Sequence, residues 1–359
     1  TENGDVFFKK TSNLQGPFKP LITGFKAKSY VLDHIGGKFL LFTNWQADNN
    51  RLVAVDPNNV DENAWTDVIP ETEDYLEGVS TGGQKLFASY LKNATTHVFQ
   101  LDYDGSNKKQ IELPGTGSAS GFSGDKDETK LFYTFTSFLY PYTIFEYDIT
   151  TGESSEFYRA AIDFNPADYE ESQQWITSKD GTKVPVFIVH KKGLQMDGTN
   201  PTLLYGYGGF NISLTPYFST SRIILLENGG VFALANLRGG GEFGEEWHQQ
   251  GMKMNKQNVF DDFIAAAEYL IEKGYTSTEK LAIQGGSNGG LLVGACMTQR
   301  PDLYRVAFPA VGVMDMLKYH KFTVGFGWTP EYGSAEDSPG MFRYLKAYSP
   351  LHTLKNANY

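Results

Sequence analysis

Cysteine is almost missing from this sequence. Cys296 is the single thiol among 359 residues, so no intrachain disulfide can form. It lies in a helix-like run, where a small buried packing residue is the expected role rather than a reactive thiol. No apolar run approaches the roughly 20 residues that span a bilayer, so no membrane partner is expected. Positive charge is scarce. Thirty-one Lys and Arg face 42 Asp and Glu, a formal net charge of −11, which argues against a general nucleic-acid surface. Metal ligands at recognisable spacing are absent, so no metal and no cofactor are expected. No secretory leader opens the chain, although a start at Thr1 leaves an upstream leader open. The lack of disulfides fits the cytoplasm without excluding the periplasm.

What is present is a globular composition, 40% hydrophobic and 20% charged, over a length that suggests roughly two domains. Aromatic residues reach 14%, which favours a large β component. The first half repeats. Lys38-Phe39-Leu40-Leu41-Phe42-Thr43, Lys85-Leu86-Phe87-Ala88-Ser89-Tyr90 and Lys130-Leu131-Phe132-Tyr133-Thr134-Phe135 are alike. Each is followed by a second strand-like run ending in Asp56, Asp102 or Asp148, spaced by 46 residues each time, and then by a polar turn. Several short strands per unit of about 45 residues is the pattern of a β-propeller blade. Tandem meanders in a sandwich are the other reading; the even spacing favours blades. The three aspartates are read as turn-formers that accept backbone N–H bonds, not as ligands. About three complete blades are visible, with Gly4-Asp5-Val6-Phe7-Phe8 resembling the last strand of an earlier one.

Near residue 165 the character changes. Two strand-like runs flank Lys179-Asp180-Gly181-Thr182, which predicts a hairpin, and Pro185 predicts that its strand lies near a sheet edge. Buried-strand runs follow at residues 202–205 and 230–236. Apolar residues at helical spacing predict a helix over about 258–273, capped by Asn258, with Asp261 and Asp262 at its positive end and Gly274 just past its last turn. Lys280–Gln284 and Val306–Val311 are further strands. Strands alternating with helices give a doubly wound, mostly parallel α/β sheet. The division is therefore a partial β-propeller over residues 1–164 and an α/β domain over 165–359.

The sharpest motif is Gly285-Gly286-Ser287-Asn288-Gly289-Gly290, set between a strand and a helix-like run. A serine at such an apex is lifted above the end of a parallel sheet, and small residues two positions either side let the chain pass itself. The backbone N–H of Asn288, at a helix N-terminus, can hold an oxyanion. The glycine-rich loop Tyr205-Gly206-Tyr207-Gly208-Gly209-Phe210 is placed to give the second donor, and it offers a phenol. A glycine-rich turn with an incidental serine, and tyrosines that only pack, are the plainer readings.

Taken together the motifs resemble the prolyl oligopeptidase family. The resemblance rests on the serine turn, on residues 205–211, and on Arg238-Gly239-Gly240-Gly241-Glu242-Phe243-Gly244 with Trp247-His248. It rests also on residues 311–317, Trp328-Thr329 and Tyr332-Gly333, and it covers nearly all of residues 165–359. It implies an α/β-hydrolase domain beside a propeller of which about three and a half of roughly seven blades are seen here. The implied activity is a serine endopeptidase cleaving after proline in short peptides, through an acyl-enzyme on Ser287. The hydroxyl of Tyr207 and the N–H of Asn288 would form the oxyanion hole. Trp328 would stack on the proline ring, Phe210, Val313 and Tyr332 would line that pocket, and Val324 would lie nearby. Proline is apolar, rigid and without an N–H, so shape and ring stacking recognise it best. The expected partners are short proline-containing peptides, with no nucleic acid and no membrane, and the complete protein is expected to be a monomer.

A serine nucleophile also needs a base and a residue that orients it. In α/β-hydrolases both follow the serine, on loops after later strands. Asp302, Asp315, Asp337, His320 and His352 follow Ser287, but none is placed where the resemblance puts the triad acid or base. The chain therefore reads as an internal portion, begun in mid-propeller and ended before the last strands of the hydrolase sheet, with the triad Asp and His outside it. Another α/β-hydrolase peptidase or esterase, and a catalytically silent propeller-scaffold binding protein, are the alternative readings.

Overall fold

A computed structural model describes residues 4–24 and 27–357. The chain divides into two compact units, Thr1–Thr136 with Tyr142–Ala160, and Ser137–Pro141 with Ala161–Tyr359.

The first unit is built of antiparallel sheets in strict chain order. One four-stranded sheet takes Ser29–Ile35, Lys38–Thr43, Arg51–Val55 and Thr66–Ile69. A second takes Tyr75–Gly82, Lys85–Lys92, Thr95–Leu101 and Lys109–Gln110, and a third Ser118–Gly121, Lys130–Thr136, Thr143–Asp148 and Ser154–Arg159. The repeated sequence runs are the second and third strands of each. Val6–Phe8 pairs with Lys19–Ile22 in a further two-stranded sheet. The inner strands of the first two sheets bury most of their residues on both faces, while Thr143–Asp148 of the third buries every second one, and neighbouring sheets share apolar layers. Leu40, Phe42 and Leu52 of the first sheet pack in one cluster with Leu76, Leu86 and Ala88 of the second. Phe122 stacks on Tyr133 at 4.4 Å within the layer joining the second sheet to the third. Polar bonds tie sheet to sheet as well: Tyr103 donates to Asp33 Oδ2 at 3.0 Å and Tyr147 to Gln100 Oε1 at 2.8 Å.

The repeat aspartates behave as expected at two positions. Asp56 Oδ1 accepts from the N–H of Asn58, and Asp148 Oδ1 from those of Thr150 and Thr151. Asp102 instead takes the Lys85 ammonium and the Asn107 amide, and Asp104 makes the backbone turn bond to Ser106. A cation on the adjoining strand outcompetes the local N–H for that carboxylate.

The second unit centres on a six-stranded sheet. Its strands are β1 (Tyr169–Thr177), β2 (Lys183–Lys191), β3 (Thr202–Tyr205), β4 (Val231–Ala235), β5 (Leu281–Gly286) and β6 (Val306–Ala310). The spatial order is β1-β2-β4-β3-β5-β6. The β1–β2 and β2–β4 pairings are antiparallel, and the others parallel. Helices α1 (Thr220–Glu227), α2 (Gly244–Gln249), α3 (Gln257–Glu272) and α4 (Asn288–Gln299) follow in chain order, with α5 (Thr329–Tyr332), α6 (Pro339–Tyr348) and α7 (Pro350–Thr353) after β6. Every residue of β4 is buried, as the continuous apolar run Val231-Phe232-Ala233-Leu234-Ala235 requires of a central strand. The buried face of α3, with Val259, Phe260, Phe263 and Leu270, and nearly all of α4 complete that core. Each such side chain contributes about 1.5–3 kcal/mol by leaving water.

Two local expectations are corrected and one is refined. Pro185 lies near an edge as expected but not on it: β2 is the second strand, between the edge strand β1 and β4. The proline is tolerated because the ladder to β4 begins one residue later, at Val186, and the Pro185 carbonyl still accepts from Asn236 N at 3.0 Å. Asn258 does not cap α3, whose cap position is Lys256; its side chain donates to the Gln250 carbonyl at 2.9 Å. Neither Asp261 nor Asp262 lies at the positive end of α3, whose first turn holds no acidic residue because the helix begins at Gln257; Asp262 turns inward instead. It is fully buried and binds Arg238, with Nη2–Oδ1 at 2.6 Å and Nε–Oδ2 at 3.0 Å. Arg238 also reaches Asp180 in the β1–β2 turn, so one guanidinium ties that hairpin to α3. The bond to Arg238 holds the Asp180 carboxyl down at about 2. Gly274 does close α3 as expected, at φ +76°, with its N–H on the Ile271 carbonyl.

Candidate active site

β5 runs up the middle of the parallel part of the sheet and stops at Gly286. The chain must then reverse at once into α4, and Ser287 makes that turn with φ +58° and ψ −115°. A non-glycine residue in this region is strained, of order 1–3 kcal/mol, and persists only where its surroundings fix it. Here the Ser287 N–H donates to the Ala310 carbonyl of β6 at 2.9 Å, and its own carbonyl accepts from Gly290 and Leu291. The flanking glycines have a steric reason. A Cβ on Gly285 would stand 2.3 Å from the Gly289 oxygen. Ser287 is exposed at the apex while Asn288, its neighbour at the start of α4, is buried.

The loop after β3 meets this turn. Burial raises the Tyr207 pKa above its ordinary value, and the neighbouring Ser287 side chain opposes that rise. The Asn288 side chain straps the same loop: its Nδ2 donates to the Tyr207 carbonyl, and its Oδ1 accepts from the Tyr332 hydroxyl at 2.8 Å. Phe210 and Asn211 both sit at φ +57°, so the loop turns through two left-handed residues that are not glycine.

The aromatic residues expected to line a pocket fall together, with one exception. Phe210 meets Tyr332 edge to face at 5.4 Å between centroids. Tyr332 meets Tyr319 in the same way at 5.4 Å, and Tyr319 lies parallel to Trp328 at 6.5 Å. Tyr332 is fully buried, whereas Phe210, Val313 and Trp328 are half-buried against the same core. Val324 stands apart at 62% exposure, on an apolar loop with the exposed Phe322 and Phe326.

Beneath this cluster lies an ionic group that sequence reasoning did not assemble. Glu331, 4% exposed, accepts from the Phe210 N–H at 2.9 Å through Oε1 and pairs with His248 Nε2 at 2.9 Å through Oε2. Lys256 is buried, 3.8 Å from Glu331 Oε1, and donates to the Gly208 carbonyl at 2.8 Å. Burial opposes a charge on His248, but the two carboxylates beside it, Glu245 as an ion-pair partner and Glu331 through a hydrogen bond, outweigh that and raise its pKa to about 9. Burial lowers Lys256 to about 8, with Glu331 pulling the other way. The signals in the sequence are slight: His248 enters only beside Trp247 in the resemblance, and an isolated glutamate or lysine carries no periodicity.

The titratable residues after Ser287 are engaged elsewhere. Asp302 forks with Arg300, Asp315 accepts the Leu317 N–H, and Asp337 accepts the Ser334 N–H. His320 faces Glu336 at 3.5 Å, and His352 Nδ1 lies 2.8 Å from Ser349 Oγ. Upstream, His190 Nδ1 lies 2.9 Å from the Lys191 carbonyl. Among the described residues no group of His, Cys, Asp and Glu is placed to hold a metal ion, and no helix is long and apolar enough to cross a membrane.

A serine on a strained strand–helix turn, over a sheet of this strand order, defines an α/β-hydrolase. Comparison with known proteins makes this more particular. Residues 1–159 match the prolyl oligopeptidase N-terminal β-propeller domain, and residues 216–359 match the prolyl oligopeptidase family peptidase model. The chain belongs to the prolyl oligopeptidase family. It is 53% identical over 353 residues to a prolyl endopeptidase of Elizabethkingia meningoseptica, covering 98% of this chain and 50% of that protein. A prolyl endopeptidase of Dictyostelium discoideum is 42% identical, over 94% of this chain and 46% of its own length. A solved prolyl endopeptidase chain superposes with a TM-score of 0.94 at 45% identity, covering 98% of this chain and 51% of that one. The chain thus spans about half the length of the curated relatives it matches.

Proposed function

We propose that this chain supplies the nucleophile, the oxyanion donors and the proline pocket of a serine endopeptidase that cleaves short peptides on the carboxyl side of proline. In this reading Ser287 Oγ attacks the scissile carbonyl. The developing oxyanion is received by the Tyr207 hydroxyl and the Asn288 N–H, and an acyl-enzyme forms and is hydrolysed. Trp328 stacks on the substrate proline, and Phe210, Tyr332 and Val313 bound its pocket, with Val324 at the outer edge. The base that takes the Ser287 proton, and the acid that orients it, are proposed to lie on residues outside 1–359, and the enzyme to work as a monomer.

The observation that carries the reading is Ser287 exposed on a strained strand–helix turn, with the loop of Tyr207 strapped to that turn by the neighbouring Asn288. That strap keeps the phenol's loop beside the place where the oxyanion develops. The relatives named prolyl endopeptidase support the substrate class. The test uses the full-length protein with a Pro-linked reporter beside Ala- and Arg-linked ones, and a fluorophosphonate probe. The expected result is turnover of the Pro-linked reporter and labelling at Ser287, both lost in Ser287→Ala. Preferential turnover of the Ala- or Arg-linked reporter would point to another peptidase of this fold. Failure of Ser287 to label would favour a silent scaffold.

A further inference from the structure

We infer that Lys256 and Glu331 are positioning residues for the Tyr207 hydroxyl, setting the oxyanion loop against the proline pocket; this rests on the oxyanion role proposed above. The loop from Tyr205 to Asn211 has no regular structure to hold it once β3 ends. It turns through Phe210 and Asn211, both at φ +57°, a backbone state that relaxes unless something fixes it. Three of its backbone groups are bound by side chains from other elements. The Tyr207 carbonyl accepts from Asn288 Nδ2. The next carbonyl, of Gly208, accepts from Lys256 Nζ at 2.8 Å. The Phe210 N–H donates to Glu331 Oε1 at 2.9 Å.

Two of those three clamps are one ion pair. The side chains of Lys256 and Glu331 are 1% and 5% exposed and 3.8 Å apart, with His248 closing the far oxygen of the carboxylate at 2.9 Å. A buried pair of this kind adds little net stability over an apolar filling of the same shape, so its retention calls for another reason. Its placement supplies one. Glu331 is the residue before Tyr332 and three after Trp328, so its carboxylate joins the pocket segment to the loop that carries the phenol. Misplacing an oxyanion donor by about 1 Å costs on the order of 10²-fold in rate with little change in ground-state binding.

The test is a double-mutant cycle in the full-length protein on a Pro-linked reporter. Lys256→Met and Glu331→Gln are each made alone and on a Tyr207→Phe background; Gln keeps an oxygen for the Phe210 N–H while removing the charge. Each single variant is expected to lower kcat about 10–100-fold with KM within about 3-fold. On the Tyr207→Phe background the further loss should shrink to under about 3-fold, because the hydroxyl being positioned is gone. His248→Gln, which touches only the far oxygen of Glu331, should give a smaller loss of the same kind in a protein that still folds. Full, additive losses on the Tyr207→Phe background, or losses confined to KM, would overturn the positioning role while leaving the oxyanion role intact. An unchanged kcat in Tyr207→Phe itself would remove the oxyanion role, and the positioning role with it.

Discussion

His248 should make the stability of the hydrolase unit depend on pH in a definite direction. Its imidazole lies 2.9 Å from Glu331 Oε2 and 3.4 Å from Glu245 Oε1, with 12% of its side chain exposed. Against the opposing effect of burial, those carboxylates raise its pKa from 6.5 to about 9. A base held protonated in the folded state contributes stability that is full below the unfolded value and lost as pH rises through the folded one. Two and a half units at 1.36 kcal/mol each cap the effect near ~3 kcal/mol, of which about 2 kcal/mol is lost between pH 6.5 and 8. Lys256, lowered to about 8, works in the opposite sense, but only above that pH. Glu171 and Glu242, raised by burial to about 7, work in the same sense as His248 and mostly below that pH. The informative quantity is therefore the difference between wild type and His248→Gln. Urea midpoints of the two proteins across pH 6.5–8, with an NMR titration of the His248 ring, measure it. A ring that titrates at or below 6.5, or the same pH dependence in both proteins, would refute the reasoning.

Three further outcomes are expected. Gly285→Ala places a Cβ 2.3 Å from the Gly289 oxygen, so the turn at Ser287 must open; a loss of about 1–3 kcal/mol and of fluorophosphonate labelling is expected, and labelling at the wild-type rate would count against the tight turn. Asp262→Ala leaves the buried Arg238 with Asp180 as its remaining carboxylate. It should cost about 3–5 kcal/mol by denaturant titration, and a loss below ~1 kcal/mol would show that the cluster relaxes. Tyr207→Phe should lower kcat on the order of 10–10³-fold on a Pro-linked reporter, and an unchanged value would take the phenol out of the reaction.

Much of the architecture was legible because it is written in short-range patterns. The 46-residue spacing of Asp56, Asp102 and Asp148 marks the ends of the third strands of three sheets. The hairpin at Asp180-Gly181 and the serine turn at 285–290 each carry their own local chemistry. What escaped depends on partners distant in sequence. Pro185 follows an edge rule, but where a ladder begins is decided by the neighbouring strand β4. Asn258 looks like a cap, yet the chain enters α3 two residues earlier through Lys256, whose ammonium is drawn to the Gly208 carbonyl 48 residues away. The Glu331 cluster joins residues 83 and 75 positions back along the chain, His248 and Lys256, and no spacing rule connects them. The pairing of Tyr207 with Ser287 was legible only through the glycine loop and the resemblance it carried.

Among the described residues β6 is the last strand of the hydrolase sheet, and its proline shapes what can pair beside it. β6 pairs with β5 on one side, and its alternate residues Val306 and Phe308 are 42% and 50% exposed. An apolar strand with an open row of amides invites a foreign strand to add to it. Pro309 interrupts that row: it has no N–H to offer, and only three residues of β6 precede it. Pro309 therefore confines the amides that any further strand beside β6 could use to the short stretch before it.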